Sequence, residues 1–352
     1  MATYVISDIH GAFDEFNALL DKIHLRFDGQ DQLYLLGDYG DWNPKSMDAI
    51  QFVRELDESY NFVHCAMGNH EQLFLQTVDS GFDGKVLNEP AVNWIYNNRG
   101  LVTWNAYRSM PPGERKTLIH WMRNLRYSFD VTVNGVHYML AHAYPYYYDV
   151  QTDARNTAAR QNEAIWRRLM IRENPFSGYT GSRHYDMLIC GHTISDVYYQ
   201  ELRYEKDWPY RKPGQTVRNR IFHGEKFIDI DCGAKCMEMQ PDAGDVLQIA
   251  TMRAQLACLR LDDLMGVYVH RPSVAMPELT VPEFSMPQLD IPAKAVPAVS
   301  AGQLTVPEFS MPQLSIPGIR APQFHVPDLQ GFKVPEFLPH ISERDSSGEM
   351  NV

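Results

Sequence analysis

No run in this 352-residue sequence approaches eighteen apolar residues, so no membrane-spanning helix is expected. Basic residues are also in deficit. The 32 Lys and Arg face 44 Asp and Glu, a formal charge of -12, whereas a nucleic-acid partner calls for a basic surface. The opening MATYVISDIHG lacks the basic segment and hydrophobic stretch of an export signal, so a cytoplasmic location is expected. Cysteine is sparse and odd in number: Cys65, Cys190, Cys232, Cys236 and Cys258 are scattered through strand-like runs, which suits reduced, buried thiols. Cys232-x3-Cys236 has the spacing of half a zinc site, but no second half is visible. Apolar content is not lacking, and at 44% it is ample for a core.

What is present changes character near residue 270. Before it, strand-like runs alternate with amphipathic helical ones: TYVISD, FDEFNALLDKI, QLYLLGD, MDAIQFVREL, FVHCAMGNH. This β-α-β-α-β beginning predicts a layered α/β sheet. A helical section from about Glu89 to Leu125 follows, interrupted at Pro111-Pro112-Gly113. The later strands, FDVTVNGVHYMLAHA, DMLICGH, KFIDIDCG, LACLRLDD and GVYVH, are short and turn-linked, as in an antiparallel sheet.

From Arg271 to Gln330 the chain divides into twelve pentads of the form apolar-Pro-x-apolar-x, with Gly302 in the single second place that is not proline. VPEFSMPQL occurs twice, at 281 and 306. Proline at this spacing forbids a helix and breaks a strand ladder, so 271–352 is expected to be an extended or disordered tail. As polyproline II at roughly 3.1 Å per residue the pentads would reach on the order of 190 Å. Their regular apolar positions also suit docking to a protein partner.

The chemistry-bearing residues sit where strands end. ISDIHG supplies Asp8 and His10, LLGDYGD supplies Asp38 and Asp41, and AMGNHEQ supplies Asn69 and His70. LAHAYP adds His142 and ICGHT adds His192. Each alone has an ordinary structural reading, since Asp caps turns and a lone His is usually a satisfied one. Strand ends of an α/β sheet converge on one edge, however, so five such ends in one chain point to a common site. Carboxylate, amide oxygen and imidazole donors fit Mn²⁺, Fe or Zn²⁺.

Asp8-x-His10-Gly11, Gly37-Asp38-x-x-Asp41, Gly68-Asn69-His70-Glu71, His142 and Gly191-His192 resemble the metallophosphoesterase superfamily. Within it they look most like the phosphoprotein phosphatase (PPP) family, particularly its bacterial and phage serine/threonine phosphatase members. The resemblance covers residues 1 to about 270 and implies a four-layer α/β/β/α sandwich there, with two divalent metal ions, Mn²⁺ first among the candidates. It assigns Asp8 and His10 to one metal, Asp38 to the bridge, and Asn69, His142 and His192 to the other. His70 becomes the proton donor to the leaving group and Asp41 its orienting carboxylate. The implied reaction is phosphomonoester hydrolysis by metal-activated water, with a phosphorylated protein or small phosphoester as substrate.

Two positions depart from that pattern. Where family members typically carry arginines that grip the substrate phosphate, this chain has Trp42 and Met67. A third family arginine corresponds to one in AIWRRL, Arg168 being preferred to Arg167, with Arg99 and Arg155 as possible substitutes. The expected activity is serine/threonine protein dephosphorylation. Hydrolysis of dinucleoside polyphosphates or other nucleotides is the alternative, with Trp42 stacking on a base. A phosphate-binding scaffold that displays the tail is the non-enzymatic alternative. Tyr144 to Tyr148 reads as a packed loop or a cleft wall, Glu71 as an acid at a helix start, and His64, His120, His137 and His223 as structural or exposed.

Overall fold

A computed structural model describes residues 1–150, 153–202, 218–237 and 253–271. The expectations for the pentad tail therefore lie outside the described residues, apart from Arg271. That residue's guanidinium pairs with Glu15 at 2.7 Å.

The amino-terminal half alternates as its periodicity predicts: β1 (Thr3–Ile6), α1 (Phe13–Ile23), β2 (Gln32–Leu35), α2 (Ser46–Ser59), β3 (Val63–Cys65) and α3 (Asn69–Asp79). In α1, Phe16, Leu19, Leu20 and Ile23 recur at helical spacing and are buried, while Asp14 and Glu15 occupy the first turn. The helical middle comprises α4 (Glu89–Ala91), a π-helical turn at Val92–Asn97, α5 (Leu101–Ser109) and α6 (Pro112–Arg123). Pro112 ends the preceding run yet starts α6, because its missing N–H falls where a helix has no acceptor for one.

The remaining strands are β4 (Ser128–Val133), β5 (Val136–Ala141), β6 (Met187–Cys190), β7 (Phe222–His223), β8 (Phe227–Asp229), β9 (Leu256–Arg260) and β10 (Met265–Val269). They are joined by α7 (Ala154–Trp166), α8 (Asp196–Leu202) and a 3₁₀ turn at Ala234–Cys236. Two five-stranded sheets result, in the orders β10-β9-β1-β2-β3 and β4-β5-β6-β8-β7.

The expectation of an antiparallel second half is corrected here. β5, β6 and β8 run parallel, in register Met139 with Leu188 and Ile189 with Ile228. Antiparallel pairing is confined to β4, β7 and the β9–β10 hairpin, and that hairpin joins the first sheet alongside β1. The chain between β5 and β6, and again between β6 and β8, is long enough for a crossover, which turn residues near a strand do not reveal.

Alternating side chains along the central strands go to different cores, as a pleat requires. Val5, Leu140, Ile189, Ile228 and Leu259 pack together between the sheets. Ile6, Leu33 and Leu35 face outward onto Phe16, Ile50, Val53 and Phe74 of α1, α2 and α3. Met139, Leu188 and Phe227 face the other way, onto Tyr198 of α8. With sheet against sheet and helices outside, the carboxyl ends of β1, β2, β3, β5, β6 and β8 open on one common edge.

Candidate active site

Each strand delivers its polar residues in the short loop past its last ladder position, within six residues of it. Asp8 and His10 follow β1, Asp38 and Asp41 follow β2, Asn69 and His70 open α3 after β3, His142 follows β5, and His192 follows β6. All eight are buried. Asp8, His10, Asp38, Asp41, Trp42 and His192 all hold positive φ, between 47° and 71°. Such backbone costs on the order of 1 kcal/mol per non-glycine residue and collects where a site demands a particular aim. Glycine is needed at 191 for a different reason, since a Cβ there would strike Asp8 Oδ2 and Ser7 Oγ.

The structure gathers these side chains around Asp38. His10 Nε2 lies 3.5 Å from Asp38 Oδ2, and His142 Nε2 lies 3.6 Å from Asp38 Oδ1. His70 Nε2 is 3.9 Å from Oδ2. Two groups of donors close enough to hold a cation overlap in this one carboxylate: His10, Asp38 and His70, and Asp38, His142 and His192. Asn69 Oδ1 lies 3.0 Å from His142 Nε2, beside the second group, and Asp8 Oδ1 lies 3.8 Å from His10 Nε2, beside the first.

The second ring nitrogens show what the first ones are for. His10 Nδ1 donates to the Gly40 carbonyl at 3.1 Å, His142 Nδ1 to Leu36 at 2.8 Å, and His192 Nε2 to Trp166 at 3.2 Å. Each imidazole thereby turns an unprotonated nitrogen toward the cluster, the arrangement that orients metal-ligating histidines. Asp8 Oδ1, His10 Nε2 and Asp231 Oδ2 are buried with no hydrogen-bond partner in the protein. Buried polar atoms are rarely left so, and three in one cleft fit a site that closes on a cation.

Electrostatics point the same way. Burial, reinforced by His70, pushes His10 well below the usual imidazole range. Burial and then His142 push His192 down to about 2. Burial would raise Asp38, yet His142 and His70 lead the histidines that hold it well below the usual carboxylate range. Burial and Asp231 push Asp8 up to about 7. Unprotonated His10 and His192 beside an ionised Asp38 are in the protonation state that a cation requires. Divalent metal ions are what this donor set fits.

His70 is engaged differently. Its Nδ1 donates to Asp41 Oδ2 at 2.6 Å, and its backbone N–H donates to Asp38 Oδ1 at 3.0 Å. Burial alone would lower this imidazole, but Asp38 and Asp41 outweigh it and push it up to about 9. α3 begins at Asn69, two residues before Glu71. Glu71 does more than suit a helix dipole, because it accepts from the N–H groups of Asp38 at 2.8 Å, Tyr39 at 2.9 Å and Gly68 at 3.0 Å. It thereby locks the β2 and β3 loops together.

The candidate arginines separate. Arg168 donates to the His192 carbonyl and to Thr193 Oγ1, both at 3.0 Å, and stands beside the second donor group. Arg167 pairs instead with Glu163 and Glu173, at 2.6 Å each, and lies over the Tyr144 ring. Arg155 is on the exposed side of α7, and Arg99 lies 5.6 Å from the centre of the Trp42 ring. Tyr146 and Tyr147 pack against Tyr127 and Tyr179, so this loop is a packed one.

Sequence reasoning missed four residues. Trp94 Nε1 donates to Asp41 Oδ2 at 2.6 Å, and Thr103 Oγ1 donates to Asp41 Oδ1. Both come from the helical middle, where nothing local marks them. Lys235 lies 5.8 Å from the Trp42 ring centre and carried no signal either. Asp231 did carry one, since it follows β8 as Asp8 follows β1. All five cysteines are buried and unpaired, and among the described residues no candidate metal group includes one. No helix among the described residues is long and apolar enough to cross a membrane.

Residues 1–196 match the family model described as calcineurin-like phosphoesterase, and the chain belongs to that family. Among curated proteins it is similar to the symmetrical bis(5'-nucleosyl)-tetraphosphatase of Nitrosococcus oceani, at 36% identity over 47% of this chain and 51% of that protein. It is likewise similar to the enzyme of the same name from Vibrio campbellii, at 36% identity over 30% of this chain and 38% of that protein. The matched segments thus span about half or less of those relatives. A crystal structure of a metallophosphoesterase from Sphaerobacter thermophilus aligns over 77% of this chain and 88% of that one, at 16% identity and a TM-score of 0.40. The chain is a calcineurin-like metallophosphoesterase with a mixed α/β fold of two sheets.

Proposed function

We propose that the chain is a two-metal hydrolase of dinucleoside polyphosphates. The observation that carries the two-metal part is Asp38, whose two oxygens face two different groups of donors. The substrate class is supported by the name that its curated relatives share. That support favours the nucleotide over the phosphoprotein expected from the PPP-like motifs.

In this reading Asp8, His10 and Asp38 hold one ion, and Asp38, Asn69, His142 and His192 the other. Oxygen and imidazole donors suit Mn²⁺, with Fe and Zn²⁺ as the other candidates. When bound, such ions polarise a phosphoryl oxygen and make water nucleophilic near neutral pH. The chain's own residues do the rest. His70 directs Nε2 into the site and gives a proton, or positive charge, to the leaving oxygen. Asp41 fixes the tautomer of His70 by accepting from Nδ1, while Trp94 and Thr103 hold Asp41 in place. Arg168, oriented by His192 and Thr193, keeps donors available for a phosphate oxygen. Residues 1–270 form the catalytic part, and the 271–330 pentads are assigned to a protein partner. Five unpaired thiols suit a reducing cytoplasm.

The test is hydrolysis by metal-stripped protein titrated with Mn²⁺, comparing diadenosine tetraphosphate with a phosphoserine and phosphothreonine peptide panel. The expected result is a kcat/KM about a hundredfold higher on the tetraphosphate, the scale of discrimination a built substrate pocket achieves. The reverse order would replace this reading with a protein phosphatase. Phosphate binding without turnover of any substrate would make the protein a scaffold.

A further inference from the structure

Trp42 stands at the edge of the donor cluster, since it follows Asp41 directly and its ring lies 6.5 Å from that of His10, edge to face. It is held there at some cost, with φ at 62° and the indole N–H buried without an acceptor. A bulky apolar residue kept in this backbone region is expected to have a purpose.

Its surroundings supply one. The Arg99 guanidinium carbon lies 5.6 Å and the Lys235 ammonium 5.8 Å from the centre of the same indole. Both distances fall within the reach over which an aromatic face attracts a cation. The two cations come from segments 136 positions apart (235 less 99), and the indole is the element they have in common. Asn43 fastens the arrangement. Its side-chain amide donates to the His10 carbonyl at 2.6 Å and to the Ala234 carbonyl at 3.3 Å, tying the Trp42 loop to the turn that carries Lys235. Among the described residues no carboxylate lies within ion-pair distance of the Arg99 guanidinium or the Lys235 ammonium, so neither cation is tied up in a salt bridge. The Lys235 charge reaches the centre of the site: it adds to burial in lowering His10 and His192, and it opposes burial at Asp231.

We infer that Trp42, Arg99 and Lys235 form a clamp for the phosphate chain of the substrate, in which the indole positions two cations that bind phosphates flanking the one being cleaved. The Arg99 fork suits two oxygens of one phosphate, while Lys235 acts as a point charge. Trp42 is then a positioning residue, which replaces the picture of a bare ring awaiting a base. The inference rests on the polyphosphate reading above, because a lone phosphomonoester has no flanking phosphate for the clamp to hold.

The test uses Mn²⁺-loaded full-length protein. It measures KM and kcat for diadenosine tetraphosphate and for p-nitrophenyl phosphate, and the Kd of a methylene-bridged diadenosine tetraphosphate by calorimetry. Lys235→Ala and Arg99→Ala are each expected to weaken tetraphosphate KM and analogue Kd about tenfold, the scale of one charge-assisted contact. The KM for p-nitrophenyl phosphate should move much less. Lys235→Arg and Trp42→Phe should recover most of the loss, since charge and aromatic face are restored, whereas Trp42→Leu should resemble the Arg99→Ala, Lys235→Ala double variant. Analogue Kd values unmoved by both single alanine variants would overturn the clamp. Equal losses on both substrates would also overturn it, by reducing the cations to a general electrostatic role. If wild-type protein hydrolyses p-nitrophenyl phosphate but neither cleaves nor binds the tetraphosphate, the substrate reading fails separately. The clamp is then judged by pyrophosphate inhibition at fixed free Mn²⁺: an inhibition constant shifted about tenfold by the two alanine variants upholds it, and an unshifted one removes it.

Discussion

Replacing Asp41 with Asn isolates the part of the site that is not a metal donor. Asp41 Oδ2 accepts from His70 Nδ1 and from Trp94 Nε1, each at 2.6 Å, and Oδ1 accepts from Thr103. An asparagine carbonyl can keep the first two bonds. Its amide then meets Thr103 Oγ1, a hydroxyl able to accept and already 2.6 Å from Ser46 Oγ. The shape survives and the charge is lost. Two charge-assisted bonds become neutral ones, roughly half as strong, so about 1–2 kcal/mol of stability should go. The larger effect falls on catalysis. Without the carboxylate, a positively charged His70 loses about 1.5–3 kcal/mol of support in the transition state, equivalent to roughly a 10–100-fold fall in kcat. The assay pairs kcat, on a substrate with a poor alkoxide leaving group and on p-nitrophenyl phosphate, with metal content by elemental analysis. The fall should be larger for the alkoxide, which needs the proton more, and bound metal should match wild type. Wild-type kcat on both substrates, or metal lost in step with activity, would refute this account of Asp41.

Asp38→Asn should remove metal and activity together, because both donor groups share that carboxylate. Retention of two ions per chain in a metal titration would break the assignment. His70→Asn should keep the metals but lower kcat about 10²–10⁴-fold, the usual contribution of a proton donor, and full activity would contradict its role. Gly191→Ala pushes a Cβ into Asp8 Oδ2 and Ser7 Oγ; overpacking of this kind costs about 1–3 kcal/mol, visible as a lower Tm together with weaker metal binding. Away from the site, hydrogen bonding from Arg26 leads the interactions that hold Asp31 down to about 2. A carboxyl depressed in the folded state stabilises above its ordinary pKa near 3.8 and loses that contribution as pH falls toward 2. Asp31→Asn should therefore cost about 1–2 kcal/mol at neutral pH, and its Tm should approach wild type as pH drops from 4 to 3; a constant gap would refute the linkage.

Much of this protein was readable before any coordinates. The alternation of the first eighty residues carries its own periodicity, because strand and helix impose different repeats on a buried face. The eight motif residues were legible because each lies within six positions of a strand's carboxyl end, and parallel strands bring those ends to one edge whatever their order. Asp231 obeys the same rule and was within reach of it.

Tertiary structure decided the rest. Strand direction in the second sheet could not be read from turns, since a connection of several dozen residues permits either sense until the sheets pack. Trp94, Thr103 and Lys235 owe their roles to contacts across 53 to 193 positions of chain, for which no local pattern exists. Trp42 makes the contrast plain. The sequence by itself determined that an indole stands beside Asp41, because covalent order does that much. That the indole faces two cations, and that the site keeps positive charge where arginine is absent, depended on the fold bringing residues 42, 99 and 235 within 6 Å of a common ring.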